Sequence, residues 1–189
     1  MNYIREKLQI GEYNYPFADK VNPLLESQIR ETIIQQESQP KEVVGGWLEF
    51  TGFHFDRDSK SAQNLSRWVS DIIKRDFHPQ TSVSRPLDLK CIELWGIVYN
   101  EGDYILSHEH TPSLYSFTYY VNAPKGSSPL VFETSGHKIK AEAGKVVIYE
   151  SRLIHKVLPN KCKGRCVVVG NFIYNREVGT YGLFSSKGD

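Results

Sequence analysis

The stretch CIELWGIVYNEGDYILSHEHTPSLYSFTYYVN, Cys91 to Asn122, decides how this 189-residue chain is read. It holds three apolar or alternating runs, Cys91–Tyr99, Tyr104–Ser107 and Leu114–Asn122, and the turn Asn100-Glu101-Gly102 parts the first two. β-Branched and aromatic residues dominate these runs, and such residues suit a pleated, half-buried surface. The pattern continues through Leu130–Glu133, His137–Ala141, Lys145–Tyr149, Val157–Leu158 and Arg165–Tyr174. Turn residues separate most of them: Pro124-Lys125-Gly126, Ser135-Gly136, Ala143-Gly144 and Pro159-Asn160. About eight short strands in about 85 residues predict a sandwich or jelly roll.

Upstream of Pro86 the period changes. Leu65, Trp68, Val69, Ile72, Ile73 and Phe77 form one continuous helical stripe, so Ser61 to Phe77 is a predicted helix closed by His78-Pro79. Asn22-Pro23 is an N-cap followed by proline at the first helical position, which predicts a second helix over residues 23–36. Residues 1–20 read as irregular, and Val43 to Phe55 as a strand and its approach. The expected class is therefore mainly β with N-terminal helices (α+β). No linker divides the chain, so residues 1–189 are expected to form a single domain, with helical and irregular support over 1–88, a β core over 89–176 and a tail over 177–189.

Lys+Arg 23 against Asp+Glu 22 leaves a net charge of +1. That balance supplies no global attraction to nucleic acid or to an anionic membrane. Cys91, Cys162 and Cys166 lack the spacing of a zinc knuckle and cannot all pair, so reduced thiols and a cytoplasmic location are expected. The start of the chain carries no apolar signal region, and no run approaches 18 apolar residues.

Chemistry concentrates on histidine. In a strand, residues i and i+2 share a face, so His108 and His110 can reach one ion while Glu109 turns away. Gly102 precedes His108 by the G-x5-H-x-H spacing of the first cupin metal motif. Gly144 opens the strand Lys145–Tyr149, and His155 follows in the next loop, similar to the second cupin motif except that Glu150 and Arg152 replace its proline and glycine. Three imidazoles would leave open positions on an octahedral ion, an arrangement that suits Fe(II), though imidazole also suits Zn, Cu and Ni. His54-Phe55-Asp56 carries the H-x-D spacing as well, but it precedes a helix and has no trailing His and Arg at the right distance. His78 reads as a helix C-terminal cation and His137 as a turn residue. Arg165 opens the apolar strand Cys166-Val167-Val168-Val169, where a guanidinium is costly unless it meets an anion. Its planar fork suits a carboxylate. Tyr99 and Tyr120 lie on strands either side of the H-x-H and could add donors. The aromatic residues Tyr13, Tyr15, Phe17, Trp47, Phe50 and Phe53 read mainly as core.

Taken together, these residues resemble the Fe(II)/2-oxoglutarate-dependent dioxygenases over about Glu93 to Tyr174. The nearest pattern is a family of bacterial and tailed-phage oxygenases with an H-x-H, H and R series. Here it is matched by Trp95, Gly102, His108-Glu109-His110-Thr111-Pro112, Ser116–Asn122, Gly144–Tyr149, His155-Lys156-Val157-Leu158-Pro159-Asn160 and Arg165. The Tyr119-Tyr120-Val121-Asn122 strand and the His155-to-Arg165 interval also resemble prolyl hydroxylases. The resemblance implies a double-stranded β-helix (a cupin-like jelly roll), with His108, His110 and His155 as Fe(II) ligands. It implies Arg165 on the distal carboxylate of 2-oxoglutarate, Tyr120 and Tyr99 as cosubstrate contacts, and O2 and an unidentified small-molecule or peptidyl substrate as reactants. His110 stands where most of the superfamily has Asp or Glu. Two other readings stand beside this one: a cupin-type three-His dioxygenase or isomerase that does not use 2-oxoglutarate, and a non-enzymatic jelly-roll binding protein.

Overall fold

The computed structural model describes residues 9–35, 41–42, 47–52, 54–77 and 88–175. Its strands are β1 (Ile10–Asn14), β2 (Lys41–Glu42), β3 (Trp47–Phe50), β4 (Leu89–Tyr99), β5 (Ile105–His108), β6 (Tyr115–Asn122), β7 (Leu130–Phe132), β8 (Lys138–Ile139), β9 (Lys145–Glu150), β10 (His155–Val157) and β11 (Arg165–Tyr174). Two helices, α1 (Ala18–Gln35) and α2 (Lys60–Ile72), precede β4, and α2 runs on into one wide turn, Ile73–Phe77. The strands form two antiparallel sheets: a large one, β1-β9-β6-β11-β4-β3-β2, and a small one, β5-β10-β7-β8. From β4 to β7 successive strands alternate between the sheets, as they do again from β8 to β11, which makes a double-stranded β-helix. All eight strands expected between residues 91 and 174 are present to within two or three residues at their ends.

The two faces of the large sheet have different neighbours. Inward, Ile97, Tyr99, Tyr120, Val147, Tyr149, Val167 and Val169 pack with Ile105, Leu130, Phe132 and Val157 of the small sheet. Outward, Leu94, Val98, Phe117, Tyr119, Val146, Ile148 and Val168 pack against Leu25, Ile29 and Ile33 of α1 and Leu65, Val69 and Ile72 of α2. Strands buried on both faces carry unbroken apolar runs, and Val146-Val147-Ile148 and Val167-Val168-Val169 are two of these. Helix and sheet approach closely at Gly96. A Cβ there would lie 2.4 Å from Ile29 Cγ1 of α1.

The N-terminal expectations needed correction. Residues 10–14 are an edge strand, β1, paired with β9 from Ile10↔Tyr149 to Asn14↔Lys145, not an irregular segment. Helix α1 begins at Ala18, so Asn22 is no N-cap and Pro23 lies inside the helix. The Asn22 side chain instead accepts a hydrogen bond from the Tyr119 hydroxyl, and edge-on packing of Tyr15 against Trp68 and Tyr119 fixes where the helix starts. The second helix is capped by Ser59, whose hydroxyl accepts from the Ala62 amide at 3.2 Å. Expectations for His78, Phe53 and the tail 177–189 fall outside the described residues, as do the side chains of Trp47 and Phe50. Cys91, Cys162 and Cys166 are free thiols, with Cys166 buried. No helix among the described residues is long and apolar enough to cross a membrane.

Gly96→Val should lift α1 from the sheet and cost about 1–3 kcal/mol of stability. A lowered urea midpoint with an unchanged slope would record this, and an unchanged midpoint would refute the close approach.

Candidate metal centre and anion pocket

β5 and β10 are antiparallel neighbours, and their register sets His155 directly opposite His108. The chain leaves β5 at His108 and turns, and the His110 amide donates to the Ser151 carbonyl at 2.8 Å. His110 therefore joins the pair from a turn, not by the strand alternation that the H-x-H spacing implied. The three imidazole centroids lie 4.4 to 5.1 Å apart, and one ligand atom from each lies within 4.8 Å of the others.

Backbone carbonyls set the tautomers of two rings. His108 Nδ1 lies 2.8 Å from the Leu106 carbonyl, and His155 Nδ1 lies 2.7 Å from that of Leu153. A carbonyl only accepts, so each Nδ1 carries the proton and each Nε2 keeps its lone pair for an ion. The third ring, His110, has a buried Nε2 with no hydrogen-bond partner. All three rings are held neutral. Burial, and then repulsion from His155 and His108, pushes His110 down to about 3. Burial and then His108 push His155 down to about 4, against the Leu153 hydrogen bond. Burial lowers His108 as well. Neutral imidazoles with free lone pairs are the form that binds a transition metal, so the donor set fits a borderline divalent ion such as Fe(II).

The same pocket is lined by Trp95, Thr118, Tyr149, Arg165 and the three histidines, among others. Arg165 is fully buried, and its Nε, Nη1 and Nη2 make no well-formed hydrogen bond, although the Tyr99 and Tyr120 hydroxyls are near enough to feel it. Its guanidinium carbon sits 4.1 Å from the centre of the Tyr99 ring and 5.4 Å from that of Tyr120. Such stacking returns about 0.5–2 kcal/mol, which is less than the cost of an unpaired buried charge. The Tyr120 hydroxyl is also buried without a well-formed partner. Burial raises both phenols, and the adjacent Arg165 charge pulls them back. Three guanidinium nitrogens and a phenol thus share the need for an acceptor, and a carboxylate fits that need.

A row of polar side chains that the sequence reading passed over stands behind the His110 segment. Ser151 donates to Ser116 at 2.7 Å, Ser116 to Asn171 Oδ1 at 2.7 Å, and Asn171 Nδ2 to the Glu93 carboxylate at 2.6 Å. Ser116, Ser151 and Asn171 are essentially fully buried, and the Ser151 carbonyl is the one that holds His110. Polar residues inside apolar strands were the available signal. Tyr149, Thr118 and Trp95 are further lining residues to which no role had been given. His54 is exposed, in a left-handed conformation before a short 3-10 turn, and is not part of the cluster. His137 is exposed after its turn.

No family model matches the chain. A PKHD-type hydroxylase of Prochlorococcus marinus (strain NATL2A) is 29% identical, over 73% of this chain and 71% of the relative. The viral collagen prolyl hydroxylase of Paramecium bursaria Chlorella virus-1, solved with 2-oxoglutarate, superposes with a TM-score of 0.66 at 15% identity, covering 86% of this chain and 94% of that one. A Pseudomonas putida prolyl-4-hydroxylase gives 0.60 at 20% identity, over 87% and 92%. These structures show the fold, a double-stranded β-helix like that of 2-oxoglutarate/Fe(II) oxygenases, and in sequence the chain is similar to a hydroxylase. The histidine cluster offers the donor set of a metal site, and the Arg165 pocket offers donors to an anion.

Asn171→Ala should cost about 1–3 kcal/mol by stranding buried partners. Adding Ser116→Ala should cost less than the sum of the single changes, since both sever the same row. A double-mutant cycle by urea unfolding checks this, and strict additivity would argue against a connected row.

Proposed function

We propose that His108, His110 and His155 hold Fe(II), and that Arg165 binds the distal carboxylate of 2-oxoglutarate with Tyr120 as a second donor. On this reading the chain hydroxylates a C–H bond of its substrate. The observation that carries the proposal is a buried, unpaired Arg165 in the same pocket as three neutral imidazoles. Neither feature stabilises the fold by itself, and together they match the two ends of a metal-chelating dicarboxylate.

When bound, Fe(II) and 2-oxoglutarate supply the oxidising chemistry: one oxygen atom of O2 enters the substrate C–H bond, the other enters succinate, and CO2 leaves. The protein's part is positional. Leu106 and Leu153 carbonyls fix the ligand tautomers of His108 and His155. The Arg165 fork sets the orientation of the cosubstrate, and the Tyr99 ring beneath it sets the plane of the fork. Ile97, Val167, Leu130 and Val157 wall the pocket with apolar surface and keep water from the reacting atoms. The relatives named above include two prolyl hydroxylases, which supports a prolyl residue in a peptide as the substrate class.

Three imidazoles leave the metal one positive charge richer than a two-His, one-carboxylate set, which is the point in favour of a cupin-type enzyme without 2-oxoglutarate. Arg165 discriminates between the readings. Arg165→Ala should retain Mn(II) but weaken 2-oxoglutarate binding at least about 100-fold, as expected for loss of a buried charge-assisted pair. Calorimetry measures both, and anaerobic Fe(II) with 2-oxoglutarate should give a visible charge-transfer band in the unaltered protein only. Absence of band and binding in the unaltered protein would sink the oxygenase reading, and succinate release with proline-rich peptides against small metabolites tests the substrate class. Arg165→Met should also raise the stability of the ligand-free protein by about 1–3 kcal/mol. A fall in its urea midpoint would contradict the unpaired state of Arg165.

A further inference from the structure

Tyr149 is fully buried on the inner face of β9, and its ring lies 4.8 Å from that of His155, centre to centre. Its hydroxyl stands 3.2 Å from His155 Nε2. The proton of His155 is on Nδ1, committed to Leu153, so the phenol must be the donor in this contact. The lone pair it occupies is the one a metal would take. One nitrogen lone pair cannot serve both, so an ion arriving at His155 takes this acceptor from the hydroxyl and leaves it beside Thr118, whose hydroxyl acts on the phenol oxygen. An unmatched buried hydroxyl is costly, and the pocket that lies against it is the one in which Arg165 calls for a carboxylate.

We propose that Tyr149 is a metal-released positioning residue: its hydroxyl holds His155 Nε2 in the metal-free chain, and on metal binding it turns to donate to a carboxylate oxygen of the cosubstrate. This rests on the metal and 2-oxoglutarate reading above and adds a residue to it. The device orders the two binding events. The hydroxyl opposes the metal while it is alone, and favours the cosubstrate once the metal is in place. A tyrosine that merely filled the core would do neither.

Tyr149→Phe keeps the ring and removes only the donor. Calorimetric titration with Mn(II) in the absence of cosubstrate should show binding roughly three- to tenfold tighter than in the unaltered protein, because a competing neutral hydrogen bond is gone. The Mn(II)-loaded variant should then bind 2-oxoglutarate at least about fivefold more weakly. The opposed signs are the signature, since general loosening of the site would weaken both. Equal affinities in the two proteins, or weakening of both steps, would overturn the role of Tyr149 while leaving the metal site intact, whereas failure of the unaltered protein to bind Mn(II) would remove the reading on which it rests. Should Tyr149→Phe prove unfolded by circular dichroism, the ferric form of the unaltered protein gives the answer. Absence of a phenolate-to-iron charge-transfer band is required, and its presence would show the phenol to be a ligand and overturn the proposal.

Discussion

The antiparallel pairing of β5 with β10 is the constraint from which the site follows. Two residues nearly fifty positions apart, His108 and His155, face each other because those two short strands are neighbours in that register. A slip of one residue would send one imidazole to the opposite face. β10 is only three residues long and its ladder with β5 is irregular, so the pairing on its other side, His155↔Phe132 to Val157↔Leu130 with β7, is what keeps it in place. Because the chain crosses between sheets, His108 and His155 come from the small sheet, with His110 just beyond the end of β5, while Arg165 comes from the large sheet facing it. The cleft between these two layers is thus a product of the topology and needs no separate domain to close it.

Much of this was legible in the residues. Between Cys91 and Tyr174, turns of Gly, Pro and Asn punctuate apolar runs so regularly that the strands could be delimited. The His108-x-His110, His155 and Arg165 series was legible because charged or metal-binding side chains bordering apolar strands have few purely structural uses. What was hidden had physical reasons. β1 is short, holds Gly11 and exposes Glu12 and Asn14, so its alternation was weak, and its existence depends on pairing with β9. Asn22-Pro23 imitated a helix start, but tertiary packing of Tyr15 and the bond from Tyr119 to Asn22 overrode the local preference. Tyr149 looked like any core aromatic, since only its neighbour across the fold gives its hydroxyl a use.

The buried polar row and the buried cation have opposite effects on stability. Glu93, Asn171, Ser116 and Ser151 satisfy one another, so the row fixes geometry at little net cost. Arg165 is left by the protein without a well-formed hydrogen bond and is the larger expense. Strain of this kind persists where a ligand removes it. A site of this design is assembled in advance on one side, where the backbone of Ser151 anchors His110, and left unsatisfied on the other, at Arg165.

One consequence reaches beyond catalysis. Whatever anion satisfies Arg165 binds the native fold and not the unfolded chain, so resistance to heat must climb with the logarithm of that anion's concentration. The melting curve of this protein therefore doubles as a titration of pocket occupancy. Rival dicarboxylates can be ranked by it with no turnover assay and before any acceptor molecule has been found.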